Sequence, residues 1–102
     1  MSDKTTVIFR VWDKRDGGGV IALFPHLPGT VFDSRSCMSY EHVGQHGPAD
    51  LAGVISRTRP ATPEEYEPLR RELERAPYNY ELDIRERTPA DAFEVRNKES
   101  RP

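Results

Sequence analysis

Three separated stretches of this chain change between apolar and polar at every second residue, and that period restricts its fold more than any other feature. In the first, Val7, Phe9 and Val11 alternate with Ile8, Arg10 and Trp12. In the second, Met38, Tyr40 and His42 share one side while Cys37, Ser39, Glu41 and Val43 share the other. In the third, Tyr78, Tyr80, Leu82 and Ile84 oppose Asn79, Glu81, Asp83 and Arg85. Successive side chains of a strand point to opposite faces, so each stretch predicts a strand with one dry and one wet face.

The residues between these stretches set their connections. Asp13 to Gly19 holds three consecutive glycines among charged residues, and the apolar run Val20 to Phe24 follows it. Two strand-like runs around such a turn predict a β-hairpin with a long loop. Pro25, Pro28 and Gly29 make 25–36 a non-helical connection, because each proline removes a donor and restricts its predecessor. Gly44-Gln45-His46-Gly47 is expected to break the third strand. Leu51, Val54 and Ile55 then have the spacing of a short helix between Pro48 and Thr58, weakened at Gly53.

A sheet with one dry face needs a cover, and the strongest helix signal supplies it. Thr62 can cap, Pro63 suits the first helical position, and Glu65 completes a capping box. Tyr66, Leu69, Leu73 and Ala76 form its apolar stripe, Pro68 interrupts it and Pro77 stops it. The expected fold is α+β: a small, mainly antiparallel sheet of about four strands with one main helix packed on one face, in the order β-β-β-short α-α-β. Residues 1–87 form the single domain and 88–102 a flexible, disordered C-terminal tail, where Phe93 and Val95 are the only large apolar residues.

Hydrophobic residues are 35% of the chain and charged ones 31%, which suits a thin, layered structure with a small core. The formal charge of −2, from 15 basic and 17 acidic residues, supplies no global field for nucleic acid or an anionic membrane. The single cysteine, Cys37, excludes an internal disulfide, and no apolar segment is long enough for a signal sequence or a membrane span. The reading that follows is a cytoplasmic protein.

Cys37 to Asp50 concentrates the groups able to act: the only cysteine, two of the three histidines and two acids. The candidate binding residues are Cys37, His42, Gln45, His46 and Asp50. His42 and His46 could hold a metal together with Cys37, Glu41, Asp50 or His26, but the flanking glycines oppose the helix that would align them. Cys37 could act as a nucleophile with a histidine as base, although a lone cysteine in a strand usually behaves as a small buried hydrophobe. An anion could sit at the helix start near Pro48, where Asp50 would repel it. The competing structural reading makes Gly44 and Gly47 turn residues, Gln45 and His46 loop anchors, Asp50 a helix cap and Cys37 core. It outweighs the other three, so no catalytic residue, metal ligand or cofactor is assigned. Trp12, Tyr40, Tyr66, Tyr78 and Tyr80 could stack bases, and Arg57, Arg59, Arg70, Arg71 and Arg75 could form a basic rim. A covered sheet face and a solvated helix face account for both groups without a ligand.

The stretches Val7-Ile8-Phe9-Arg10, Ile21-Ala22-Leu23-Phe24-Pro25, Cys37-Met38-Ser39-Tyr40, His42-Val43-Gly44-Gln45-His46-Gly47 and Arg59-Pro60-Ala61-Thr62-Pro63-Glu64-Glu65-Tyr66 resemble a group of small hypothetical proteins of bacteria, phages and plasmids. The resemblance spans residues 5 to 85, implies an accessory protein of a mobile element, and carries over no activity, cofactor or site residue. The function expected is that of a non-enzymatic binding or accessory module. Its partner would be another protein or a second copy, met through an edge strand, with nucleic acid disfavoured and no membrane. The alternative is a small enzyme or metal-binding protein using the Cys37–Asp50 segment.

Overall fold

The computed structural model describes residues 4–30, 33–41 and 45–99. Strands β1 (Thr5–Trp12) and β2 (Val20–Thr30) form the expected hairpin, with Ile8 opposite Leu23 and Val11 opposite Val20. Gly17 and Gly18 take φ of 108° and 68° in its turn, a conformation that resists a β-carbon. Strand β3 (Asp33–Glu41) pairs antiparallel with β2, and β4 (Gln45–Asp50) antiparallel with β3. Helix α1 (Leu51–Arg57) leads into β5 (Thr58–Pro60), which runs antiparallel to β1. Helix α2 (Pro63–Glu74) and strand β6 (Leu82–Arg85) follow, and then helix α3 (Ala92–Glu99). Strand β6 lies parallel to β1 along Thr5–Ile8, beside the part of β1 that β5 occupies.

The sheet order is therefore β4-β3-β2-β1-β5, with β6 on the same outer side of β1 as β5. This overturns the expected sheet of about four, mainly antiparallel strands under one main helix. Among the described residues there are six strands in a mixed sheet, with three α-helices. The chain folds into a compact unit whose Cα radius of gyration is 12.9 Å, close to the ~13 Å of a folded chain this long.

Both sheet faces are dry at the centre. Val7, Phe9, Ala22, Phe24 and Tyr40 pack under Leu69 and Leu73 of α2. Ile8, Ile21, Leu23 and Cys37 pack under Leu51 and Val54 of α1. The side of β1 read as wet thus carries Ile8 in the core, because a second helix covers it. Arg10 on that side is only 8% exposed. Its guanidinium donates to the Ile55 carbonyl at 3.1 Å, the Thr58 carbonyl at 2.6 Å and Thr58 Oγ1 at 2.9 Å. A cation at the end of α1 satisfies carbonyls that the helix itself leaves unbonded.

Several boundaries also move. Strand β2 runs on through Pro25 and Pro28 instead of ending at Phe24, with register shifts at Pro28 that accommodate the missing donors. The third strand ends at Glu41, before the 44–47 segment expected to break it; from Gln45 that segment belongs to a further strand, β4, and α1 begins at Leu51, not Pro48. The third alternating stretch is a strand only over Leu82–Arg85. The Ala76–Pro77 bond is cis, and the Tyr78 and Asn79 amides bond to the Arg75 carbonyl in a turn with Asn79 at φ 54°. Tyr78, Tyr80 and Leu82 still pack on the α2 side, as their spacing predicts.

Helix α2 follows its sequence signals closely. Thr62 and Glu65 form the reciprocal capping box, and Pro63 begins the helix. Pro68 lies within the helix on an exposed position, where water can reach the carbonyl it leaves unbonded. Within the expected disordered tail, α3 is instead a helix packed on β2, with Ala92 and Arg96 buried. Arg96 Nη1 donates to the Pro25 carbonyl at 2.7 Å, and His26 Nε2 lies 2.9 Å from Asp91 Oδ1 just before the helix.

Candidate functional site

Within the segment from Cys37 to Asp50 the described residues are the end of β3 and the whole of β4, paired antiparallel. Cys37 sits in β3 opposite Ala49 of β4, fully buried under α1. Burial pushes its thiol up to about 11, against a smaller opposite pull from Arg96. A thiol held protonated at neutral pH is a poor nucleophile and a poor metal ligand. Asp50 lies at the N-cap of α1, exposed, and its side chain makes no capping bond. A β-carbon added at Gly53 would come within 2.6 Å of its Oδ2, and this exposed carboxylate would have to swing aside. Gln45 and His46 are backbone neighbours of Glu41 and Tyr40 in the β3–β4 ladder, and His42 lies outside the described residues. His26 is engaged with Asp91, and the two line a cleft with Thr6 of β1. Among the described residues no three metal-ligating side chains cluster.

The aromatic residues are spent on packing. Tyr66 stacks on Phe9 at 4.5 Å, Tyr80 on Phe24 at 5.2 Å, and Tyr78 meets Tyr40 edge-on at 5.3 Å. The Tyr40 hydroxyl donates to Glu72 of α2. Burial, then the neighbouring Tyr78, raises the Tyr80 phenol above its usual value. The arginines of α2 are paired along its own face, Arg70 with Glu67 and Glu74, Arg71 with Glu67. These contacts support a covered sheet face and a solvated helix face.

Two open clefts lie among the described residues. One, of about 660 Å³, lies where the β1–β2 turn meets the end of α1 and the start of α2. It holds Lys14, Arg15, Arg57 and Arg59 against Asp13, Asp16 and Glu65, with the Arg57 guanidinium 5.7 Å from the Trp12 ring centre. Its charges are largely used internally: Arg59 grips Glu65 through two bonds of 2.8 and 2.6 Å, and Arg15 approaches Asp13. The second cleft, of about 680 Å³, lies between Thr6, His26 and the chain from Ile84 to Asp91.

The sheet edges are the structural feature that sequence reasoning left undetermined. Strand β4 is one edge and carries Pro48, which has no N–H to offer a new strand. On the other side β5 is three residues long and ends in Pro60. Strand β6, Leu-Asp-Ile-Arg, has no proline, and among the described residues it pairs only with β1. It also bears Ile84, 37% exposed, one of two large apolar side chains left in solvent among the described residues. The alternation of 78–87 pointed to Ile84 as a dry-side residue, and its exposure marks where the cover of α2 runs out.

No helix among the described residues is long and apolar enough to cross a membrane. No protein-family model, curated protein or solved structure matches the chain.

Proposed function

We propose that this chain is a non-enzymatic binding or accessory module that engages an extended segment of protein along the β6 edge of its sheet. The observation that carries the reading is the open side of β6: a proline-free edge strand with Ile84 exposed beside it. Main-chain groups of such an edge give affinity, and a neighbouring apolar side chain gives preference for alternating partners. The near-neutral charge and the reduced single cysteine fit a cytoplasmic setting, and the resemblance to small phage and plasmid proteins fits an accessory role in a mobile element.

The alternative, an enzyme or metal protein built on Cys37 to Asp50, draws less support, because the cysteine it needs is buried and held as the neutral thiol. Selection of a random peptide library on the immobilised protein tests the edge. The enriched peptides should alternate apolar and polar residues and lose binding to Ile84→Lys. Selection that enriches nothing, or peptides that bind the variant equally well, would refute the reading.

A further inference from the structure

We infer that the occupant of the β6 edge is a second copy of this chain, its β6 antiparallel to the first with Ile84 on the two-fold axis. The inference rests on the edge-binding reading and names the partner and the register. Ile84 pairs in register with Val7, which belongs to the core under α2, and Leu82 packs on that same core. Asp83 and Arg85 therefore project from the opposite face.

Symmetry leaves few registers. Two identical edges joined about an axis perpendicular to the sheet keep like faces together, so 83 and 85 can oppose only odd-numbered residues of the other copy. An axis through 83 would set Asp83 against Asp83, and one through 85 would set Arg85 against Arg85. An axis through 82 would set Asp83 against Glu81. An axis through Ile84 sets Asp83 against the partner subunit's Arg85, and Arg85 against the partner subunit's Asp83. The axes through 83 and 85 also bring Arg85 to Glu81 and Asp83 to Arg87, but only with a like pair on the axis; of these four registers the one through Ile84 alone sets opposite charges across the strands with no like pair.

The side chains are arranged to serve it. Within one chain Arg85 Nε and Nη2 both reach the single oxygen Oδ2 of Asp83, at 3.1 and 2.9 Å. Asp83 Oδ1 and Arg85 Nη1 face no partner in that bridge and can reach across the axis. On the other face the two Ile84 side chains meet and leave water together. The paired strands are only four residues long, so the interface is small and its dimer is concentration-dependent, not obligate.

Sedimentation equilibrium of the full chain from about 1 µM to about 1 mM, in low salt, tests this. The average mass should climb from monomer toward dimer. Asp83→Arg or Arg85→Asp alone places like charges opposite one another and should raise the dissociation constant about tenfold or more. The two together restore opposite charges in reversed order and should return it to within about threefold of the original. Melting curves of each variant establish that the fold is intact. A strict monomer over the whole range overturns the inference, as does a dimer indifferent to the single changes or not rescued by the double. If the monomer still selects alternating peptides that Ile84→Lys loses, the second copy is wrong and the edge-binding reading stands. If neither self-association nor peptide binding occurs, both fall.

Discussion

Replacing Arg10 by Met tests how the outer side of the sheet is held to the rest of the fold. Methionine keeps most of the apolar stem and removes the guanidinium. Lost with it are the bonds to the Ile55 carbonyl at 3.1 Å, the Thr58 carbonyl at 2.6 Å and Thr58 Oγ1 at 2.9 Å. The Thr58 hydroxyl keeps its own bond to the Val54 carbonyl at 2.7 Å. The two carbonyls lose a charged donor, each such bond having a net worth of about 1.5 kcal/mol at the low end. Relief of the buried cation offsets part of this, since burial already disfavours the charged form of Arg10. The net loss should be about 2–3 kcal/mol, which leaves a typical domain of 5–15 kcal/mol folded.

Urea denaturation reads this directly, as a midpoint lowered by about 1–2 M at an unchanged slope. Because Arg10 also stands opposite Pro60 in the β1–β5 ladder, the damage should concentrate there. Amides of Thr58, Arg59 and Ala61 should exchange faster while those of the β2–β3 ladder hold their protection. A cycle with Thr58→Val should show coupling of about 1 kcal/mol, as expected for two side chains sharing a bond. A loss under about 0.5 kcal/mol, or strict additivity of the two changes, would refute the view that Arg10 clamps α1 and β5 to the sheet.

Gly29→Ala should lower stability by about 1–3 kcal/mol. Its new β-carbon would lie 2.8 Å from the Cys37 carbonyl and from Pro48 Cβ, and 2.9 Å from Pro48 Cα. An unchanged melting temperature would show that β2 and the β3–β4 hairpin do not approach so closely. Glu65 is held down to about 2 by its bonds from Arg59 and from the Thr62 amide. Unfolded, a glutamate titrates near 4.3, so its stabilisation is complete above that value and fades as pH falls toward 2. The melting-temperature advantage of the native protein over Glu65→Gln should therefore shrink from pH 6 to pH 2, and an advantage constant over that range would contradict the ion pair.

What the sequence made legible was whatever rests on local pattern. The β1–β2 hairpin, residues 37–41 of β3, and α2 with its capping box all follow from spacing within about a dozen residues, whereas the first residues of β3, from Asp33, fall in what reads as a connection. Strand β4 reads Gln-His-Gly-Pro-Ala-Asp and has no large apolar residue to alternate, so only its ladder with β3 makes it a strand. The three residues of β5 are too few to show a period. Helix α3 inverts the usual rule. Among its described side chains the buried ones are Ala92 and Arg96, four apart, while Phe93 is 51% exposed. A search for an apolar stripe passes over a helix anchored by an arginine bonded to a strand carbonyl. The same blindness hid the second dry face of β1, since Arg10 reads as solvent until α1 is placed over it. Of the candidate residues, Cys37 lies in the core and Asp50 stands at the helix start without capping it.

The edges of the sheet link this architecture to function. A six-stranded sheet that does not close must leave strands open at both ends, and each open strand is a template for another chain. Here the termini differ in chemistry. Pro48 in β4 and Pro60 in β5 each remove a donor from the exposed line, and β5 is further covered by the Arg59–Glu65 pair. Strand β6 lacks such a proline, carries an exposed isoleucine, and sets one acid and one base at alternate positions on the opposite face. Charges alone would protect an edge, as lysines do; a balanced pair that becomes complementary to its own copy only in one register selects an arrangement instead of forbidding all of them. Under the proposed reading, blunted edges on β4 and β5 with a self-complementary one on β6 would direct association to a single place, by strand addition at β6.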